Sequence, residues 1–117
     1  MDPIKLTLQT NAVPVSLTMQ NGDIREFELR EMNAAARDSY LESLSSRMRY
    51  DAEGKPAGVK KFEGMQSDLL SLCLSENGKK VDKQEIQQWP AGVVGELFKA
   101  AQSMNHLNQE EKPPKNV

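Results

Sequence analysis

Apolar and polar residues alternate through the first 30 positions. Ile4, Leu6 and Leu8 alternate with Lys5, Thr7 and Gln9, and Val13, Val15, Leu17 and Met19 with Pro14, Ser16, Thr18 and Gln20. A period of two puts each apolar set on one face of a strand, so both stretches are expected as strands. Pro14 has no N–H for a ladder, which places its strand at a sheet edge or its start outside the paired region. Asn21-Gly22 is a hairpin signal, and Arg25–Leu29 is the returning strand. A two-residue loop there pairs Leu17 with Glu26 and splits the apolar faces. A three-residue loop, Asn21-Gly22-Asp23, pairs Leu17 with Phe27 and Val15 with Leu29 and unites them, so that register is expected.

The pattern then turns helical. Met32, Ala36, Tyr40, Leu44 and Met48 recur every fourth residue, with Ala35 and Leu41 widening the stripe, and predict one amphipathic helix from about Glu31 to Tyr50. The span 51–58 holds Gly54, Pro56 and Gly58 and reads as a loop. A second helix is expected over 60–75, burying Phe62, Met65, Leu69, Leu72 and Cys73 and weakened by Gly64 in its first turn. Residues 76–80 form a turn. Asp82 with Glu85 three residues on has the form of a capping box, and Val81 and Ile86 stand where a hydrophobic staple would. A short third helix therefore runs to about Gln88. Trp89 precedes Pro90 and is biased away from helix, while Pro90 suits the first position of a last helix, which carries Val93, Val94, Leu97, Phe98, Ala101 and Met104 to about His106. The fold class is α+β: a small N-terminal antiparallel sheet, then three or four helices packed on one face. Residues 1–107 make one domain, and 108–117, rich in Glu, Lys and Pro, read as a disordered tail.

Composition narrows the function more than it names it. The 117 residues carry a formal net charge of -2, and Lys60-Lys61 and Lys79-Lys80 are only pairs, so the basic excess of a nucleic-acid binder is missing. Residues 82–89 and 91–105 have the outline of a helix-turn-helix, but the second offers mainly Lys99 to a groove, beside Glu96. The N-terminus lacks the apolar run of a signal peptide, and no stretch reaches the ~20 apolar residues that span a bilayer. A single cysteine, Cys73, allows no intrachain disulfide and fits a reducing cytosol.

Catalytic chemistry has little to work with. The one histidine, His106, stands at the end of the last helix, where it favours the negative end of the dipole, and Cys73 falls on an apolar helix face. One His and one Cys do not make a zinc site unaided, and Gly92 and Gly95 lack the Lys-Ser/Thr of a phosphate-binding loop. No enzyme and no cofactor is expected. Six methionines and Trp89 fit adaptable protein contacts as well as core packing. Tyr40, Met48, Trp89 and Phe98 are the candidate contact residues, each equally at home in a core.

Two segments carry a family resemblance. Residues 28–41, ELREMNAAARDSYL, look like the passage from strand to helix in tail assembly chaperones of long-tailed bacteriophages. Residues 89–105, WPAGVVGELFKAAQSMN, resemble their last helix, in which an aromatic before the cap leads into a Val-Val-x-x-Leu-Phe run that ends near an Asn. Pro90 stands where the family more often has a capping Ser or Thr. The resemblance implies a protein of the host cytoplasm that binds the tape-measure protein, keeps it soluble, helps recruit tail-tube subunits, self-associates and is absent from the finished virion. It also implies a longer form made by ribosomal frameshifting, for which codons at Pro114-Lys115-Asn116 could supply a slippery run of A's. A tail-completion or connector protein that stays in the particle is the alternative, and a small helix-turn-helix DNA-binding regulator the third reading.

Overall fold

The computed structural model describes residues 1–107; the tail expected at 108–117, with its frameshift signal, lies outside the described residues. The α+β class is as expected. Strands β1 (Ala12–Thr18) and β2 (Ile24–Arg30) form an antiparallel hairpin. Then come α1 (Ala34–Ser46), a small hairpin of β3 (Met48–Tyr50) and β4 (Pro56–Val59), α2 (Met65–Cys73), β5 (Leu74–Glu76), β6 (Lys79–Lys80), α3 (Lys83–Ile86) and α4 (Ala91–Met104). The main sheet has the order β1-β2-β5-β6, and all its pairs are antiparallel. Phe27 and Leu29 point from it onto Leu69, Leu70 and Cys73 of α2 and Val94, Leu97 and Phe98 of α4, all buried in one core. No helix among the described residues is long and apolar enough to cross a membrane.

The hairpin has the expected loop length but sits one residue earlier. Gln20, Asn21 and Gly22 form the loop, closed by Met19 N–H to Asp23 O at 2.7 Å and Gly22 N–H to Met19 O at 2.9 Å. Val15 therefore faces Phe27, and Leu17 faces Arg25 rather than Phe27. The reason is the third loop position, which takes a left-handed conformation: Gly22 adopts it with φ +94°, and the expected register would have put Asp23 there. The shift is by two residues, so the apolar faces still coincide. Ile4, Leu6 and Leu8, expected in a strand, pair with no strand among the described residues and are 85%, 89% and 100% exposed.

Both long helices are shorter than expected. Asn33 caps α1, its Oδ1 accepting the Ala36 N–H at 2.8 Å, and the chain leaves the helix at Arg47 and pairs Met48 with Val59. An every-fourth-residue stripe drifts on a helix of 3.6 residues per turn: Met32 and Met48 would lie about 160° apart. One helix cannot bury both on one side, and the span 51–58 supplies a strand instead of only a loop. The second helix begins after Gly64, whose φ of +80° breaks the expected start at Lys60 and leaves Phe62 67% exposed. It ends at Cys73, because Leu74 is extended and joins β2. The turn at Asn77-Gly78, with φ of 53° and 81°, is flanked by strands that the sequence pattern did not disclose.

Asp82 is the N-cap residue of α3, but the capping box does not form. Asp82 makes no side-chain cap bond, and Glu85 turns away to Arg25. α3 is a single turn, shorter than the helix expected to about Gln88. At the far end α4 closes with His106 at φ +56°, donating its N–H to Ser103 O at 3.2 Å while Leu107 N–H reaches Gln102 O at 2.8 Å. That is a Schellman ending with a histidine where glycine is usual.

Candidate functional site

The junction between α3 and α4 is extended because Pro90 holds φ at -58° with ψ 142° and stands at the N-cap, one residue before the position expected for it. Its carbonyl accepts from Val93 and Val94 at 3.0 and 3.1 Å and starts the helix without a side-chain cap. Trp89, tied by its N–H to Ile86 O at 3.1 Å, therefore projects from a corner instead of following a helix face. One edge of its ring meets Phe27, with centroids 5.6 Å apart and planes at 72°. Trp89 is partly buried, packed against the core with some of its surface open.

A groove of about 650 Å³ opens between this corner and the tip of the β1–β2 hairpin. Leu17, Met19, Trp89, Pro90 and Val93 form its apolar walls, and Ser16, Thr18, Gln20, Asn21, Asp23, Arg25 and Gln88 its rim. A smaller, more polar hollow of about 410 Å³ lies on the other side of the indole, between Glu63-Gly64, Gln66-Ser67, Gln87 and the start of α4. Trp89 lines both.

The groove exists because the apolar run of β1 outlasts that of β2. Val13 and Val15 face Leu29 and Phe27, but Leu17 faces Arg25 and Met19 closes against Asp23. The last two apolar side chains thus have no apolar partner across the strand and remain partly open. Arg25 does not present a free charge there. Its guanidinium grips Glu76 twice, at 2.9 and 2.6 Å, and Glu85 at 2.6 Å, and lies 5.0 Å from the Phe27 ring centre. These bonds, Glu76 first, raise the Arg25 pKa, and the Arg25 bond lowers that of Glu76. With Arg25 held by two carboxylates and Asp23 on the same rim, the groove suits an uncharged, aliphatic segment better than an anion.

Of the four candidate contact residues, the structure brings only Trp89 to this groove. Met48 is half-buried on β3 and lines neither hollow. Tyr40 and Phe98, 4% and 8% exposed, lie in the core and line neither hollow. Leu17, Met19 and Val93 were missed as wall residues because alternation and helical period assign them to buried faces. The detectable signal was the mismatch of apolar lengths between the two strands of one hairpin.

Other polar groups hold the fold. Asp68 accepts from Arg47 at 2.6 Å and Lys83 at 2.8 Å, joining the end of α1 to α2 and α3. Burial pushes its pKa up, but the bonds from Lys83 and Arg47 outweigh that and leave it lowered. Asn105, 3% exposed, accepts the Met32 N–H at 2.7 Å and donates to Ala101 O at 2.8 Å and to Cys73 Sγ at 3.5 Å. Cys73 is 1% exposed, and burial raises its thiol pKa against the opposing effect of the Asn105 bond. No protein-family model, curated protein or solved structure matches the chain.

Proposed function

We propose that this protein holds an apolar segment of another polypeptide in the groove beside Trp89 and that, as the sequence resemblance implies, its client is the tape-measure protein of a phage tail. The observation that supports this reading is the partly buried indole, set at the α3–α4 corner and walled by Leu17, Met19 and Val93, with the rim's one cation, Arg25, held by two carboxylates. A large, partly buried aromatic at the edge of a groove is the kind of residue on which binding energy concentrates. Helical segments present apolar residues at i, i+3, i+4 and i+7, and such a stripe fits a groove between a hairpin tip and a helix. Holding requires no nucleotide: mass action on the exposed client stripe keeps it from aggregating. On this reading the protein is not an enzyme, works in the host cytoplasm, meets tail-tube subunits through the client and leaves before the virion is complete.

Co-expression with the long helical open reading frame beside its gene tests the proposal. The client is expected to stay soluble and co-purify with the wild-type chain, and to lose both properties with Val93→Glu, which puts a charge in the groove wall. Client that stays equally insoluble with and without the wild-type chain sinks the proposal. Mass spectrometry of purified particles separates it from a tail-completion protein, which would remain in the virion.

A further inference from the structure

The free edge of β1 has a matching strand in the same chain. Asn11 O accepts from Glu31 N, and Met19 N donates to Asp23 O, so the odd-numbered residues of β1 turn their main-chain groups toward β2. The even-numbered ones, Ala12, Pro14, Ser16 and Thr18, turn theirs outward, where no strand lies among the described residues. The odd side chains Val13, Val15 and Leu17 face the core side but are incompletely covered, Val13 being 46% exposed. Immediately before them runs the arm with Ile4, Leu6 and Leu8, at the same spacing and almost wholly exposed. Its root is fixed: Asn11 N–H donates to Glu31 Oε1 at 2.8 Å, and the Arg30 guanidinium donates to Thr10 Oγ1 at 2.8 Å.

We propose that residues 4–8 form a strap that closes antiparallel on the free edge of β1, with Leu8 opposite Val13, Leu6 opposite Val15 and Ile4 opposite Leu17. The connection is then Gln9–Ala12, a common hairpin length. Every apolar side chain of the arm falls on the core side of the sheet, and a register one residue away would turn all three to the polar side with Ser16 and Thr18. Pro14 removes a single ladder bond and leaves Ser16 and Thr18 to donate to Lys5 O and Pro3 O. Ile4 covers Leu17, a wall of the Trp89 groove, so the strap and a groove occupant exclude each other. That last consequence rests on the proposed function, whereas the strand pairing does not.

The occupant is the chain's own arm for two reasons. A four-residue link keeps the arm at an effective concentration on the order of millimolar. A second copy whose β1 edge pairs with this one in a single antiparallel ladder about a two-fold axis must match residues whose numbers sum to an even value. Along β1 such a ladder would place Ile4, Leu6 and Leu8 opposite Ala12, Pro14, Ser16 or Thr18 of the second copy, on the polar face.

Amide exchange followed by NMR on the full chain without any client tests the strap. In the wild type, Ser16 and Thr18 amides are expected to exchange about tenfold more slowly than in Leu6→Asp, with Phe27 in β2 unchanged as the internal reference. Pro14→Val, which restores an outward donor, is expected to slow them further. Equal exchange in wild type and Leu6→Asp overturns the proposal. So does protection that disappears on dilution, which would make a second copy the occupant.

Discussion

Replacing Asn105 by alanine probes the most buried polar contact that ties the two halves of the chain together. Its Oδ1 is the partner of the Met32 N–H, where β2 passes into α1, 73 residues away in sequence. The substitution leaves that buried amide with no acceptor, which costs about 1–3 kcal/mol. Loss of the Nδ2 donor matters less, because Ala101 O keeps the Asn105 main-chain N–H at 3.1 Å. A small void beside Cys73 adds to the penalty, for a total of about 2–3 kcal/mol. Urea unfolding should show this as a midpoint lowered by roughly 1–2 M with an unchanged slope. Asn33→Ala is the matched control: it also removes a side-chain acceptor from a main-chain N–H, but at an exposed cap where water takes over, for about 1 kcal/mol. If the two variants fall within about 0.5 kcal/mol of each other, water reaches the Met32 amide and the burial argument is wrong. Asn105→Asp extends the test. Burial raises a carboxyl pKa in the folded state, so its added penalty is absent below the ordinary value of about 3.9 and appears as pH rises.

Other outcomes follow from the same geometry. Asp68 has a lowered pKa, so its contribution is complete above the ordinary aspartate value and is lost as pH falls below about 4; thermal unfolding against pH should show that acid limb flattened in Asp68→Asn. Arg25→Ala should cost about 1 kcal/mol, and less in high salt, since its two partners are only partly screened from water. Gly22→Ala meets no atom within 4 Å, so its expected loss of about 1 kcal/mol is conformational and should appear without any change in the Val93 or Trp89 environment. Trp89 emission should shift to the blue when an apolar helical peptide is added and stay unshifted in Val93→Glu.

The sequence determined whatever depends on neighbours close along the chain. Alternation named β1 and β2, Asn21-Gly22 named the turn, and the stripe from Val93 to Met104 named α4. These are decided by side-chain period and by which residues tolerate positive φ, and both are local properties. Register within the hairpin was within reach of the same reasoning, since Gly22 takes the left-handed loop position at less cost than Asp23. The limits of α1 and α2 were not local. Met48, Tyr50 and Leu74 have acceptable helical neighbours, yet each is extended because another strand pairs with it: β4, across the next turn, for Met48 and Tyr50, and β2, 45 residues away, for Leu74. The fate of Glu85 was likewise settled by Arg25, 60 residues away, which outbid the cap. Tyr40 and Phe98 stand on the same kind of stripe as Val93, and only the packing of α4 against the sheet and α2 separates the covered side chains from the open one. The groove belongs to this second class. It is a space left where two elements fail to match in length, and spaces are defined by what surrounds them in three dimensions rather than by any run of residues.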